Sequence, residues 1–441
     1  MDKNYEKRDL FTSKWGFILA CIGSAVGMGN IWLFPFRVGQ FGGFAFLIPY
    51  FIFIALIGYT GVVEEMVFGR SMRTGPLGAF TKATQTRGSN AGKVIGWIPI
   101  IGSLGIAIGY SIVVGWIIRF TVGSFTGSML STADSGAYFS SIAGSFGSMT
   151  WHISAIVITA VIMIAGVSSG IEKVNRFMMP AFFLLFVILA VRSFMLPGSS
   201  AGYEFMFRPD FSKLLDIKTW VFALGQAFFS LSLAGSGTIV YGSYLSDKSD
   251  APSNAKYIAI FDTLAAMLAA LVILPAVFSF SIEPTAGPPL MFITMPEVFK
   301  QMPGGFIFAI LFFVAVLFAG ISSLINLYET PVELLQQKFK LKRSTSVFII
   351  LAIGFLVGIF IQDAAKLGLW MDVISIYVIP LGALLAGVMF FWVLSKDFAL
   401  QAVNKGALKP LGEQYYIHGK YVYCGLTLLV YILGIFYGGI G

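Results

Sequence analysis

Long apolar runs separated by short polar segments extend along the whole 441-residue chain. A run of about 17 to 25 residues is long enough for a helix to cross the hydrocarbon core of a bilayer. Helices satisfy their own backbone hydrogen bonds in lipid, so the expected fold class is an all-α polytopic membrane protein. The pattern predicts eleven spans, at residues 13–37, 42–69, 93–124, 152–169, 174–196, 218–243, 256–281, 305–336, 345–361, 370–395 and 421–438.

Composition and charge agree with this pattern. The chain is 57% hydrophobic and 11% charged, with a mean hydropathy of +0.85, which is outside the range of soluble domains. The net charge of +8 does not indicate nucleic-acid binding, because 21 of the 29 Lys and Arg residues lie near loops predicted to be cytoplasmic. This distribution places the N-terminus in the cytoplasm and, with eleven spans, the C-terminus outside.

Two predicted spans are interrupted in a matching way, the first by "GSAVGMGN" at residues 23–30 and the sixth by "SLSLAGSG" at residues 230–237. Glycine, serine and asparagine at membrane depth weaken a helix. Because five spans separate the two breaks, we expect one transmembrane domain over residues 1–441 with two inverted repeats, roughly 13–196 and 218–395, and an additional helix at 421–438. The two breaks would then face each other at the midplane.

Broken helices at membrane depth free backbone carbonyls, which need a partner where water is absent. A bound cation is such a partner, and carbonyls with hydroxyls and little net charge suit Na⁺. In the eighth span Ala319, Ser322 and Ser323 share one helix face and would add oxygen ligands. Asp262, inside the seventh span, is costly as an anion unless a cation pairs with it.

Ordinary alternatives stay open at this point. Gly23 and Gly27 have the spacing that is typical of close helix packing. Serine hydroxyls also bond back to carbonyls of their own helix, and a buried acid such as Asp262 can be protonated. An enzyme is the least favoured class, because no nucleophile with a base and no metal cluster emerges from the pattern.

Five motifs resemble, in order and spacing, the neurotransmitter:sodium symporter family. They are "GSAVGMGNIW", "RTGPLGAF" (73–80), "GIEKVNRFMMP" (170–180), "FFSLSLAGSG" (228–237) and "FAGISS" (318–323). The resemblance covers essentially the whole chain, and the count of eleven spans resembles the bacterial amino-acid branch. It implies a leucine-transporter-type fold, with helices 1 and 6 unwound at the midplane.

The resemblance also implies two Na⁺ sites. The first would use the substrate carboxylate with Ala25, Asn30, Ser230 and Asp262. The second would use the carbonyls of Gly23, Val26 and Ala319 with the hydroxyls of Ser322 and Ser323. Many members have Asn where this chain has Asp262, and chloride-independent members supply an acidic side chain nearby. We therefore expect no chloride requirement.

Further residues match the substrate site of the family. They are Ser24, Ala25, Gly27, Met28, Gly29, Ile106, Tyr110, Phe229, Ser232, Ala234, Gly235, Ser323 and Leu327. Tyr110 would hold the substrate carboxylate, and Phe229 would cover it. Amine transporters carry Asp at the position of Gly27, so the glycine implies a substrate with its own carboxylate. Gly235 replaces a bulky aromatic of the leucine transporter, which implies a large hydrophobic or aromatic L-amino acid.

The outer gate of the family pairs an Arg with an Asp. Leu33 occupies the Arg position here, so we expect Arg37, one turn later, to pair with Asp372.

The residues that match the cytoplasmic gate are Arg8, Phe11, Tyr244 and Gln337. Gln337 replaces the usual acid, and Glu333 is the alternative partner for Arg8. Glu65 matches an acid that braces the sixth helix. Gly170 and Pro180 match a helix-five pattern that unwinds when the inner Na⁺ leaves.

The function implied is sodium-coupled symport of hydrophobic or aromatic L-amino acids (Trp, Tyr, Phe, Leu) into the cell by alternating access. The protein would be a multi-pass protein of the inner (plasma) membrane, with the lipid bilayer, two sodium ions and the amino acid as its partners. Two alternatives remain. One is symport of a small zwitterion such as glycine, and the other is an amino-acid-binding membrane receptor or channel without coupled transport.

Overall fold

The computed structural model describes residues 10–282 and 289–440, and every regular element in them is helical. We number the helical segments that occupy the predicted spans in chain order. They are span 1 (Lys14–Ala25 and Gly29–Gln40), span 2 (Phe44–Met72), span 3 (Gly92–Thr126), span 4 (Met149–Ile164), span 5 (Val167–Phe194), span 6 (Ile217–Ser230 and Gly237–Ser243), span 7 (Ala251–Ser279), span 8 (Gly305–Phe339), span 9 (Arg343–Ile361), span 10 (Ala364–Val393) and span 11 (Glu413–Tyr437).

Within the described residues, eight of these helices are long and apolar enough to cross a membrane, and the bent span 1 makes nine. Span 4 is a shorter apolar helix, and span 6 is broken. The prediction of an all-α polytopic membrane protein is confirmed. Span 11 begins at Glu413, well before the predicted residue 421, because its first turns are polar and hydropathy alone does not mark them as helix.

Acidic and hydroxyl side chains cap the spans where they begin. Ser13 Oγ accepts from Gly16 N (2.9 Å) at the start of span 1. Three aspartates do the same for later spans, in each case accepting from a backbone N–H of the first turn: Asp216 at span 6, Asp250 at span 7 and Asp363 at span 10. These caps satisfy N–H groups that have no partner inside the helix, so they fix where each span begins.

Burial separates central from peripheral spans. In its most apolar window, span 3 is 83% buried, whereas spans 5, 9 and 11 are 33% buried and present most of their surface outward. Span 3 packs along span 8, and the second half of span 6 packs along span 2. Spans 3 and 8 thus form a central pair, and the broken span 6 lies against span 2.

Shorter helices connect the spans. They are Pro76–Gln85, Ser128–Ser131, Ser135–Ser140, Ser199–Phe207, Lys213–Leu215, Leu290–Thr294, Met295–Gln301 and Lys396–Asn404.

Both predicted breaks are present. The two halves of span 1 meet at 56°, and Val26 between them is extended (φ −69°, ψ 105°). Span 6 is interrupted between Ser230 and Gly237, where Ser232 and Gly235 both adopt positive φ (53° and 65°). A positive φ is unfavourable for a side-chain-bearing residue such as Ser232, so other contacts must hold the break in place.

Candidate functional site

A carboxylate, an amide and a hydroxyl form one buried network beside the break of span 1. Asn30 Nδ2 donates to Asp262 Oδ1 (2.7 Å) and to Ser230 Oγ (3.1 Å). Ser230 Oγ donates to Asp262 Oδ2 (2.6 Å). All three residues are fully or almost fully buried. Three residues of the first predicted sodium set thus lie together, and the fourth, Ala25, ends the first half of span 1.

This network has acceptors and negative charge but no basic side chain. None of the ion pairs found among the described residues involves Asp262. A carboxylate at this depth needs a counter-charge or a proton. Its oxygens, together with the Ser230 hydroxyl and nearby carbonyls, are the donor set that Na⁺ prefers, so the residues fit the ion.

A second cluster of oxygens surrounds Ser323 of span 8. Its Oγ lies 3.1 Å from the Gly23 carbonyl oxygen, 3.3 Å from that of Ser24 and 3.0 Å from that of Val26. One hydroxyl proton cannot satisfy three carbonyls. The excess of acceptors fits a cation at this place, in agreement with the second predicted sodium set.

The neighbouring hydroxyl behaves differently. Ser322 Oγ donates to the Ala319 carbonyl (3.0 Å) of its own helix, which is the ordinary alternative stated above. Ser322 packs against Gly23 of span 1, but of the two serines it is Ser323 whose hydroxyl meets the carbonyls of span 1.

Neighbouring side chains approach two glycines of span 1 closely. Neither Gly23 nor Gly27 has a positive φ. A Cβ on Gly23 would lie 2.2 Å from Asn175 Oδ1, and a Cβ on Gly27 would lie 2.6 Å from the Tyr110 hydroxyl. Close packing therefore favours glycine at both residues, and the helix is interrupted at Val26 and Gly27.

Tyr110 of span 3 lies directly opposite the break of span 1. Its hydroxyl accepts from the backbone N–H of Met28 (3.2 Å), and its side chain is buried. The hydroxyl also faces Gly27, where no side chain intervenes. A hydroxyl beside the N-terminal end of a half-helix suits an anionic group such as a carboxylate.

The two breaks are tied to each other and to span 2. Ser232 Oγ donates to the Ser24 carbonyl (3.0 Å), which joins span 6 to span 1. Glu65 Oε1 accepts from the N–H groups of Ala234 (3.0 Å) and Gly235 (2.7 Å). These contacts hold the strained backbone of the break, and Glu65 braces the sixth helix as the resemblance implies.

The role of Gly235 differs from the sequence interpretation. A Cβ at this residue would lie 2.4 Å from the Gly382 carbonyl oxygen of span 10, and its φ is +65°. The absent side chain therefore points at backbone rather than at open space. Glycine is required here by conformation and close approach, so it does not by itself enlarge a substrate pocket.

Apolar side chains of spans 3 and 10 pack against the break in span 6. Ala234 packs with Ile374 and Ile379 of span 10, and Ile106 lies against this cluster. Phe229 is half-buried and borders a small cavity with Ser375 of span 10. The span 10 residues were missed by the sequence interpretation, because they carry no motif and their proximity to the break depends on tertiary packing.

Two further predicted substrate residues, Gly29 and Leu327, accept hydrogen bonds at their backbone carbonyls. The Gly29 carbonyl accepts from Gln226 Nε2 (3.0 Å). The Leu327 carbonyl accepts from Ser103 Oγ (2.8 Å), and the Leu327 side chain is half-buried.

At the outer side, the expected pair is not formed in this conformation. Among the described residues no ion pair joins Arg37 to Asp372. Arg37 instead donates to Gln40 Oε1 (2.9 Å), and its guanidinium lies 4.3 Å from the centre of the Phe222 ring. Arg37 thus makes a cation–π contact, and the Asp372 side chain is exposed.

At the end of the bundle that the sequence predicts to be cytoplasmic, Phe11 contacts the end of span 6. Its N–H donates to the Tyr244 carbonyl (3.4 Å), and its ring packs edge-on against Tyr241 (5.5 Å). Tyr244 donates its hydroxyl proton to Glu329 (2.9 Å). Arg8 lies outside the described residues.

Span 8 places two buried acids in this region, Glu329 and Glu333. Arg343 pairs with both carboxyl oxygens of Glu329, at 2.8 Å each. Gln337 accepts from Thr74 Oγ1 (2.5 Å), and Glu333 accepts from Gly75 N (2.7 Å). The sequence interpretation missed Glu329, although an acid inside an apolar span was the available signal.

Span 5 begins irregularly where the sequence predicts unwinding. Residues 167–172 form π-helical turns after Gly166, whose φ is +101°. Glu172 at the end of these turns is buried, and it accepts from Thr12 N (2.7 Å), Thr12 Oγ1 (2.8 Å) and Ser13 Oγ (2.9 Å). The segment before span 1 is thereby fastened to the irregular start of span 5.

Two discontinuous helices that face each other inside a helical bundle, with oxygen clusters at both breaks, define an ion-coupled membrane transporter. Sequence and structure comparisons identify the particular family. The chain belongs to the sodium:neurotransmitter symporter family, whose family model matches residues 8–140 and 135–433. It is thus a sodium-coupled, multi-pass membrane transporter and not an enzyme.

Individual relatives support this assignment. The chain is 35% identical over 412 residues to the sodium-dependent transporter YhdH of Bacillus subtilis, with 90% of either chain covered. It is 31% identical over 458 residues to a sodium-dependent transporter of Methanocaldococcus jannaschii, covering 97% of this chain and 91% of the relative. The crystal structure of MhsT in complex with L-phenylalanine matches with a TM-score of 0.87 at 32% identity, covering 96% of this chain and 99% of that chain. The predicted leucine-transporter-type fold is confirmed.

Proposed function

We propose that the protein couples Na⁺ entry to the uptake of hydrophobic or aromatic L-amino acids (Trp, Tyr, Phe, Leu) by alternating access. The observation that carries this proposal is the arrangement around the two breaks. Tyr110 and the end of span 1 offer polar groups on one side, and the cluster of Ala234, Ile374 and Ile379 is apolar on the other. An amino acid with an apolar side chain matches both sides.

The similar MhsT structure supports the substrate class. That protein was solved with L-phenylalanine bound, and its fold covers nearly all of this chain. The apolar cluster and Phe229 would then limit the size of the substrate. Gly235 would not, because its positive φ and its close approach to span 10 already require a glycine there.

The substrate carboxylate would lie between Tyr110 and the first sodium set. The Met28 N–H and the Tyr110 hydroxyl are already joined here, and the absence of a side chain at Gly27 lets the Tyr110 hydroxyl approach the backbone of span 1. A Na⁺ held by Asn30 and Asp262 would neutralise part of the negative charge of the substrate. The substrate carboxylate would then be a ligand of the ion, and the ion would be a contact of the substrate. The binding of one therefore favours the binding of the other.

The second Na⁺ would be held by the carbonyls that converge on Ser323. This ion would join span 1 to span 8, which is a contact between a broken and a continuous helix. Loss of this ion would release span 1 from span 8, and the irregular start of span 5 lies beside the same segment. In this proposal spans 1, 2, 6 and 7 move against the remaining spans.

Chloride would not be required. Asp262 already places a negative charge in the network of Asn30 and Ser230. A chloride ion close to this carboxylate would be repelled by it.

Two sodium ions supply enough free energy for strong accumulation. A tenfold gradient provides about 1.4 kcal/mol per ion, and a potential of about 100 mV adds about 2.3 kcal/mol per charge, so two ions supply roughly 7 kcal/mol. This corresponds to concentrating a neutral substrate by roughly five orders of magnitude. We place the transporter in the inner (plasma) membrane with a cytoplasmic N-terminus, as the distribution of Lys and Arg indicates.

The substrate class is tested by binding of labelled L-tryptophan to purified protein, with and without Na⁺. We expect binding only with Na⁺, and competition by unlabelled phenylalanine and leucine but not by glycine. Competition by glycine with no effect of tryptophan would replace the substrate class by a small zwitterion. Binding that does not depend on Na⁺ would contradict the shared ion and substrate site.

A further inference from the structure

Glu64 of span 2 is a buried acid that the transport proposal does not use. Its side chain is fully buried, and neither carboxyl oxygen has a hydrogen-bond partner within the described structure. None of the described ion pairs involves it either. The next residue, Glu65, is equally buried but accepts the two N–H groups that follow the break of span 6.

Two adjacent acids inside a membrane protein cannot both be charged without partners. Glu65 has partners, at the positive N-terminal end of a half-helix, and is the acid whose charge is stabilised there. Glu64 lacks partners and repels the charge of Glu65. The geometry therefore favours a proton on Glu64.

Span 11 packs along this part of span 2. Tyr415 of span 11 donates its hydroxyl proton to the Thr60 carbonyl (3.4 Å), one turn before Glu64. Tyr423 packs on Gly61, one turn before Glu64, since a Cβ at Gly61 would lie 2.7 Å from its ring. The Tyr423 hydroxyl is also buried, and it has no hydrogen-bond partner among the described residues. Two turns away along span 2, His418 of span 11 contacts the Leu56 carbonyl (2.6 Å).

An acid and a phenol thus lie unpaired at one buried interface between spans 2 and 11. A neutral acid and a phenol suit such an apolar interface, whereas a carboxylate does not. In the proposed transport cycle span 2 moves and span 11 does not, so this interface opens and closes during each turnover.

We propose that Glu64 is a proton-binding site of the transporter, separate from the sodium and substrate sites. In this conformation its O–H bond is intact. When the interface with span 11 opens, that bond breaks, the proton passes to water and the carboxylate remains until a proton returns. The exchange step rests on the proposed alternating access, whereas the presence of the bound proton does not.

The bound proton is tested by infrared spectroscopy of the reconstituted protein. A protonated carboxyl group has a C=O stretch that is distinct from those of a carboxylate and shifts in D₂O. We expect one such band to be lost in Glu64→Gln and kept in Glu204→Gln, a control at an exposed acid paired with Arg208. Tyr423→Phe, which keeps the ring against Gly61, should shift the same band. A spectrum unchanged in both Glu64→Gln and Tyr423→Phe would overturn the proposal.

The exchange is tested by the initial rate of Na⁺-driven tryptophan uptake as a function of pH. A single proton that limits the cycle imposes a slope of up to roughly tenfold per pH unit. We expect this slope in wild type and in Glu204→Gln, and its loss in Glu64→Gln. Identical pH profiles in wild type and Glu64→Gln would show that the proton never leaves and would overturn the exchange. Absence of any Na⁺-driven uptake in wild type would instead contradict the proposed function and leave the infrared result standing.

Discussion

At the scale of single residues, adjacent side chains of the same type have different roles. Ser322 and Ser323 are neighbours on span 8, yet one hydroxyl bonds to its own helix and the other meets three carbonyls of span 1. Glu64 and Glu65 differ in the same way. The residue types were visible in the sequence, but the direction of each side chain depends on the packing of distant helices.

Replacement of Ser323 by alanine should weaken Na⁺ binding much more than replacement of Ser322. Ser323→Ala removes an oxygen from the cluster, and we expect the Na⁺ concentration for half-maximal tryptophan binding to rise roughly tenfold, which is about 1.4 kcal/mol. Ser322→Ala, the matched control, should change it by less than about twofold. The measurement is a Na⁺ titration of tryptophan binding, and equal effects of the two substitutions would contradict the proposed ion position.

Replacement of Asp262 by serine should create a chloride requirement. The substitution removes the negative charge from the network of Asn30 and Ser230, and a chloride ion can then supply it. We expect tryptophan binding to fall at least about tenfold in gluconate and to recover in chloride. Asp372→Asn, at an exposed acid, should bind equally in both salts. Chloride-independent binding by Asp262→Ser would argue against the assigned role of the carboxylate.

At the scale of elements, hydropathy and the two glycine-rich motifs predicted the spans and both breaks. They did not predict the early start of span 11, because its first turns are polar. The sequence also did not predict that Ile374 and Ile379 lie against the break. The hydrophobic pattern of a helix shows which residues are apolar, but it does not show which other helix they contact. The outer pair of Arg37 and Asp372 is not among the described ion pairs, and Arg37 contacts the Phe222 ring, which the sequence did not predict because it depends on tertiary packing.

The break of span 6 should tolerate no side chain at residue 235. Gly235→Ala combines a positive φ with a contact of 2.4 Å to backbone, so we expect a loss of about 1–3 kcal/mol in stability. Gly29→Ala is the control, because a Cβ there meets nothing within 4 Å. Thermal unfolding in detergent measures both. A melting temperature that is unchanged by Gly235→Ala would contradict the constrained geometry.

Glu172 should hold the cytoplasmic side closed by fastening the segment before span 1 to span 5. Glu172→Gln leaves one acceptor oxygen for three donors, so the segment should detach more often. A reporter cysteine at Ser169, which lines the adjoining cavity, should then react several-fold faster with a polar thiol reagent. The native Cys21 and Cys424 are buried, which keeps the background low. Equal rates in Glu172→Gln and in the control Glu204→Gln would exclude this role.

At the scale of the whole molecule, Ser323 of span 8 joins the spans proposed to move, spans 1, 2, 6 and 7, to the remaining spans, because its hydroxyl meets carbonyls of span 1. Ser232 and Glu65 instead hold spans 1, 2 and 6 to one another within the moving set. A bound ion at the cluster around Ser323 would change how strongly the two sets are joined. Coupling between Na⁺ and substrate follows from this arrangement, because both would bind at the same breaks.

The central claim is tested most directly by accumulation of labelled L-tryptophan in proteoliposomes, with an inward Na⁺ gradient as the driving force and gluconate in place of chloride. The account predicts accumulation above the external concentration, which is lost when the Na⁺ gradient is dissipated. A channel cannot concentrate a solute against its own gradient. Na⁺-dependent binding with no accumulation under any gradient would contradict symport and favour a receptor or channel.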